Sequence, residues 1–457
     1  MEYRVVNPTN GEAAATARST NPEQREKALS AAATAGAAWR RVAPAQRADV
    51  LLAAAQLMRE RRDELAAIVT AEIGKPREAA RDEVELAARI FEFYGEQVET
   101  LLADQRITSP TGAALVRLEA MGVILGIMPW NFPYYQVTRF VAPNLLLGNA
   151  VLLKPAPACP ESAAALETLL LEAGLPDGVY ATMYTTDEET LDMVADDRVC
   201  GVSLTGSERA GRAVAEVAGR SLKKCVLELG GSDALIVLDR ESLASAAMDG
   251  VAARMANSGQ VCTSPKRMIV LADLYDDFVV AVERATSGVT VGDPTAEGTA
   301  MGPLATYRAA VEVAEQVSDA VAHGARLRIG DGKVQGPGAW LSPVVLTDVT
   351  PEMRAWDEEI FGPVVVIHRA EDEDDAVRIA NATRYGLSAS LYGRDREQIQ
   401  RIANQLDVGM VFVNSTAISV PELPFGGTKS SGFGRELGEA GLREFANAKL
   451  IHEVIDA

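Results

Sequence analysis

The chain has 457 residues, 48% hydrophobic and 24% charged, values that match globular averages of about 45–50% and 25% and suit two or three packed domains rather than a disordered chain. A formal charge of −20, from 64 acidic and 44 basic residues, repels phosphate backbones and anionic lipid, so neither a nucleic-acid nor a membrane-surface binder is expected. An anionic ligand must therefore be held by a few placed lysines or arginines.

The start, Met1-Glu2-Tyr3-Arg4-Val5-Val6, has no signal-peptide pattern, and no run of about 18 apolar residues occurs. Cysteines stand at 159, 200, 225 and 262 without a CxxC pair, and the histidines, His323, His368 and His452, lie far from Cys262 in sequence. A cytoplasmic protein with reduced thiols and no metal site is expected.

Asn21-Pro22 supplies an N-cap and a first-turn proline for a helix running to Trp39, and helical patterns follow over residues 45–73 and 78–102, separated by Gly74-Lys75-Pro76. Met121 to Tyr135 reads as a buried strand entering a loop, because Gly122, Gly126, Pro129, Asn131 and Pro133 interrupt it. From there strands near 123–128, 151–153, 201–204 and 226–229 alternate with helices at 161–173 and after Ser207, which predicts a parallel sheet with helices on its faces. A second α/β series follows Gly230-Gly231, with strands near 234–238 and 268–271 and helices near 243–256, 308–323, 373–383 and 396–406. Phe445 to Val454 has strand character and suits docking elsewhere, including on a partner subunit.

Five segments carry chemistry. Cys262 follows Asn257-Ser258-Gly259-Gln260-Val261, and Glu228 lies in Leu227-Glu228-Leu229-Gly230-Gly231; a thiol behind a glycine turn and a carboxylate beside two glycines suit acyl chemistry through a thioester. By residue type alone, the thiol is equally at home as an inert buried group and the carboxylate as an interior ion-pair partner. Asn131, in Pro129-Trp130-Asn131-Phe132-Pro133, could donate to an oxyanion or simply cap a rigid turn. Lys154-Pro155 ends a strand where nucleotides bind in open α/β sheets, and Thr205-Gly206-Ser207 precedes a helix whose N-terminus can receive phosphate. There is no GxGxxG and no Walker-A motif.

Taken in order with Glu358-Glu359-Ile360-Phe361-Gly362-Pro363 and Pro424-Phe425-Gly426-Gly427-Thr428-Lys429-Ser430-Ser431-Gly432, these blocks resemble the NAD(P)-dependent aldehyde dehydrogenase superfamily across nearly the whole chain. The resemblance implies an α/β fold with a Rossmann-like cofactor domain (residues 1–107 and 120–230), an α/β catalytic domain (231–443) and a small β oligomerisation arm (108–119 and 444–457). It assigns Cys262 as nucleophile, Asn131 with the Cys262 N–H as oxyanion hole, and Glu228 as the base that activates the hydrolytic water. Trp130, Lys154, Pro157, Gly206, Ser207, Leu229, Gly230, Glu359 and Phe361 are the implied cofactor contacts.

Many NAD-preferring members carry a glutamate three residues after the lysine, where Pro157 stands here, so the resemblance favours NADP, with Arg209 available for its phosphate and NAD or dual use still open. The chain is most similar to bacterial succinate-semialdehyde dehydrogenases, in which an arginine at the place of Arg139 holds the substrate carboxylate. A second arginine of some relatives is replaced by Ala256, so other aliphatic or aromatic aldehydes, with Tyr134, Tyr135 and Phe425 lining the pocket, stay open. Transfer of the acyl group to CoA, or a structural protein on this fold, are further alternatives, against which Glu228 and the full set Cys262, Glu228 and Asn131 respectively count. A homodimer or homotetramer acting on a small aldehyde, without nucleic acid or membrane, is expected.

Overall fold

The computed structural model describes residues 3–454. A hairpin that the sequence pattern did not announce, Tyr3–Val6 with Ala13–Ala17, opens the chain. The helix Pro22–Trp39 then starts as expected: Asn21 and Gln24 form a reciprocal capping box, and Pro22 sits where no backbone donor is needed. Two long helical patterns are each broken. Pro44–Glu60 gives way at Arg61 to Arg62–Ile73, and Arg77–Glu96 gives way at Gln97 to Val98–Leu101; Arg61 leaves helical geometry and reaches Glu172 of another helix.

Two sheets carry the architecture. The first has six strands in the order Gly432–Phe433, Lys224–Glu228, Val199–Thr205, Val123–Ile127, Ala150–Lys154, Tyr180–Thr182; all pairs are parallel except the first. Successive strands run outward in one direction from Val123–Ile127 and in the other from Val199–Thr205, which makes the gap between their carboxyl ends a topological switch point. Gly432–Phe433 comes from late in the chain, so residues 231–443 do not all lie apart from this sheet, as the expected boundary had it. Its backbone covers the otherwise open edge of the strand that ends in Glu228.

The second sheet has seven strands: Arg326–Ile329, Val344–Thr347, Val364–Ala370, Pro265–Leu271, Asp233–Val237, Ser388–Tyr392 and Met410–Val413, parallel after the first pair. The chain leaves the first sheet at Glu228 and enters the second at Asp233, across the double glycine. A third sheet joins Gln105–Ser109, Gly112–Ala120 and Ala446–Val454, the last two paired from Ala446↔Ala120 to Val454↔Gly112. The terminal strand thus docks on its own chain.

The helix Tyr135–Leu147, buried along its whole length, follows the switch-point loop. Its first backbone N–H groups are satisfied from outside: the Glu83 carboxylate accepts from the N–H of Tyr134 (2.9 Å) and of Tyr135 (3.3 Å). That carboxylate also pairs with Lys75 in the interior, and the ammonium donates to the carbonyl of Asn131 at 2.9 Å. The loop bearing Asn131 is therefore pinned at both ends by one buried ion pair.

Candidate active site

At the switch point, Pro129, Trp130 and Asn131 leave one strand and Thr205, Gly206 and Ser207 the next, and both segments line a cavity of about 270 Å³. Gln136, Leu229, Gly230, Cys262, Glu359 and Phe361 complete its wall. Trp130 and Phe361 meet edge to face across the cleft with centroids 5.8 Å apart, so aromatic groups from the two large sheets close it.

The turn bearing Cys262 is built from three consecutive residues with positive φ: Asn257 (49°), Ser258 (56°) and Gly259 (77°). Only glycine fits the third, because a Cβ there would stand 2.1 Å from the carbonyl oxygen of Gly362. Ser258 Oγ donates to the carbonyls of Gly302 (2.8 Å) and Pro303 (3.1 Å), and Asn257 Nδ2 donates to Asn131 O at 2.9 Å. Arg254 is consumed beneath the turn, donating to Val364 O, Gly259 O, Ile360 O and Ser264 Oγ, so it has no free face for a substrate.

Asn131 Nδ2 donates to Gln260 O at 3.0 Å, which brings the amide beside the nucleophile turn and leaves its second hydrogen for an oxyanion. Burial pushes the Cys262 thiol up to about 11, opposed by the positive charges of Arg139 and Lys266. Lys266, which sequence reasoning passed over, donates to Val261 O (3.0 Å) and Cys262 O (2.8 Å) and lies 3.4 Å from Glu359. Its signal was available only as a lysine in an apolar strand, Pro265–Leu271, where an unpaired charge would not be tolerated.

Glu228 ends its strand with a buried carboxylate, and neither oxygen has a hydrogen-bond partner among the described residues. Burial raises this carboxyl well above the ordinary range; Arg139 opposes the shift and Glu436 adds to it. Gly426 makes room, since a Cβ there would lie 2.7 Å from Glu228 Oε1.

Arg139, the expected substrate clamp, is already engaged. Its guanidinium is fully buried, pairs with Glu436, lies over the Phe425 ring at 4.2 Å, and donates to Tyr135 OH at 3.2 Å. A substrate carboxylate would have to compete with Glu436. Tyr135 OH in turn donates to Ser419 Oγ at 2.7 Å, and Ser419 and Phe425 border a separate, mainly apolar cavity of about 230 Å³.

The residues fit a nicotinamide nucleotide. Gly206 lines the cleft just before helix Glu208–Arg220, and a Cβ there would meet nothing within 4 Å, so the space at this helix N-terminus is open. Ser207 caps that helix, its hydroxyl accepting from Ala210 N. Glu359 accepts from Gly231 N at 3.1 Å, and a Cβ on Gly230 would stand 2.2 Å from its other oxygen. Beyond Glu359 the mouth widens into about 500 Å³ bordered by Arg209, Arg212 and Arg384. Arg212 pairs with Glu208, and Arg384 with Glu208 and Asp357, whereas Arg209 has no carboxylate partner among the described residues. Lys154 and Pro157 lie outside these two walls; Lys154 is buried, 3.6 Å from Asp187.

A parallel sheet with its cleft at the switch point, a thiol on a strained turn and an unpartnered buried carboxylate are the parts that a covalent acyl-transfer oxidoreductase requires. Residues 1–451 match the aldehyde dehydrogenase family, and the chain belongs to that family. It is 47% identical to a succinate-semialdehyde dehydrogenase [NADP(+)] of Deinococcus radiodurans over 98% of this chain and 94% of that one. It is 42% identical to succinate-semialdehyde dehydrogenase [NADP(+)] 1 of Mycobacterium ulcerans over 99% of each. Among solved structures, succinic semialdehyde dehydrogenase from Streptococcus pyogenes, in complex with NADP+, superposes with a TM-score of 0.97 at 37% identity, covering 99% of this chain and 100% of that one.

Proposed function

We propose that the protein oxidises succinate semialdehyde to succinate with NADP, in the cytoplasm and as a homodimer or homotetramer. The observation that carries the reading is one cleft lined by Cys262, Asn131, Ser207, Glu359 and Phe361 together, in a chain whose similar relatives bear that activity.

Cys262 releases its thiol proton to solvent through the open cleft, and the thiolate adds to the aldehyde carbon to give the thiohemiacetal alkoxide, whose negative oxygen faces the free hydrogen of Asn131 Nδ2 and the Cys262 backbone N–H. A bound nicotinamide nucleotide supplies the acceptor for the hydride lost from that carbon. Cys262 then holds the acyl group as a thioester, and Glu228 takes a proton from the attacking water, a role suited to a carboxyl whose proton affinity burial has raised. The thiol leaves and the acid departs. Glu359 and Phe361 hold the nicotinamide end, Ser207 and the helix after it the phosphates, and Lys154 the adenosine ribose. Pro157 offers no carboxylate against a 2′-phosphate, and Arg209, near the mouth, has no carboxylate partner among the described residues, which supports NADP over NAD.

The pairing of Arg139 with Glu436 favours a second reading, a neutral aldehyde in an aromatic pocket. Initial rates with succinate semialdehyde and with pentanal, each with NADP and NAD, separate the two. The proposal expects kcat/KM at least about tenfold higher for succinate semialdehyde with NADP, and an Arg139→Ala variant that raises KM for it far more than for pentanal. Equal efficiencies for the two aldehydes would replace it with the second reading. For the assembly, Leu450 and Ile451 stand 63% and 42% exposed on the three-stranded sheet, an apolar edge that a second subunit would cover. Light scattering at the monomer mass would reject that part.

A further inference from the structure

We propose that Lys266 is a positioning residue that aims the oxyanion-binding N–H of Cys262 and ties the nucleophile turn to the ribose-binding carboxylate of Glu359; this rests on the roles just given to Cys262 and Glu359. An ammonium has three hydrogens, and the surroundings supply three acceptors: Val261 O at 3.0 Å, Cys262 O at 2.8 Å and Glu359 Oε1 at 3.4 Å. Lys266 is 3% exposed; burial lowers the proton affinity of its amine, and Glu359 is the first of the groups that oppose this.

The Val261 carbonyl and the Cys262 N–H belong to one trans peptide and point in opposite directions. Holding the carbonyl back against Lys266 therefore directs the N–H the other way, and polarising that carbonyl makes the N–H a stronger donor. Asn131 Nδ2, held by Gln260 O one residue earlier, belongs to the same turn, so both oxyanion donors are set by it. The same Glu359 oxygen also accepts from Gly231 N, and the second Glu359 oxygen occupies the space that a Cβ on Gly230 would need. One side chain thus joins the strand Pro265–Leu271, the nucleophile turn and the cofactor wall.

The charged groups facing the Cys262 thiol are Arg139 and Lys266, which favour the thiolate, and Asp233 and Glu359, which oppose it. Those facing Lys266 are Glu359, Arg254, Asp233 and Cys262. Removing the lysine charge must leave the thiol harder to ionise.

The test uses the full-length protein with succinate semialdehyde and NADP, after the wild type has shown aldehyde-dependent NADPH formation; a wild type that forms none refutes the functional reading, not this inference alone. Lys266→Met is expected to slow the pre-steady-state burst about 10- to 100-fold, the scale of a misaimed catalytic group. It should also raise KM for NADP several-fold and move the pH profile of Cys262 alkylation by iodoacetamide, measured without cofactor, to higher pH. A role in folding alone would lower the burst amplitude and leave its rate constant and the alkylation profile unchanged, which would overturn the inference. Lys266→Arg keeps the charge on a longer, planar head, so its alkylation profile should stay near wild type while the burst still slows. If Lys266→Met does not fold, Lys266→Arg decides: a wild-type burst rate overturns the aiming role, and a slowed burst with an unshifted alkylation profile supports it.

Discussion

Two cation–carboxylate groups flank the nucleophile, one buried and one with its carboxylate partly exposed, and they are finished differently. On one side, Lys266 has an acceptor for each hydrogen, and Glu359 has backbone and ammonium partners. On the other, Arg139 pairs with Glu436, and Ser203 Oγ donates to that same carboxylate at 3.1 Å, yet Glu228 beside them is left with both oxygens unpartnered. Several other buried side chains also have an unpartnered atom, but Glu228 alone among those described has two, and that combination is what supports the base role proposed for it. On the proposed roles, the complete cluster holds geometry and the incomplete one reactivity.

Glu228→Gln attacks the incomplete cluster directly and carries the largest expected effect. Steady-state turnover should fall about 10²- to 10⁴-fold, the usual worth of a general base, while the first burst of NADPH survives in stopped-flow absorbance. Loss of the burst as well would make Glu228 structural.

Next comes Glu436→Gln, which frees Arg139. With its partner gone, the guanidinium acts on Glu228 without a competing carboxylate and the nearby like charge is removed, so the Glu228 carboxyl should titrate lower. Deacylation, followed by single-turnover thioester decay, should then become base-active at lower pH, with turnover changed by roughly tenfold or less. An unmoved pH profile would show that the two carboxylates do not interact.

The smallest effect is the pH profile of the wild type. Glu228 must be ionised to accept a proton, and its carboxyl lies above the ordinary value near 4, so deacylation should rise with pH through a limb displaced above that value. A flat profile down to pH 5 would place the base elsewhere.

Much of this was legible in the sequence because the elements carry local signals. Asn21-Pro22, the strands before Pro129 and Lys154, and the glycine at 259 each announce a backbone requirement that only a few residue types meet. The helix Tyr135–Leu147 was not legible, because a segment buried on every face has no amphipathic period and its N-terminal cap, Glu83, lies 51 residues away from Tyr134. The breaks at Arg61 and Gln97 escaped for a related reason: nothing in the local pattern forbids a continuous helix, and tertiary packing decides. The neighbours of Arg139 were equally hidden, since Glu436 stands 297 residues away, and a lone arginine reads as a clamp until its partner is known.

The central claim is that Cys262 carries the acyl group and that Glu228 acts only after it is attached. Glu228→Gln protein mixed with succinate semialdehyde and NADP, quenched after the burst and analysed by peptide mass spectrometry, should carry one succinyl group on the peptide containing Cys262. NADPH formation with an unmodified Cys262, or with the acyl group on Cys159, Cys200 or Cys225, would contradict it.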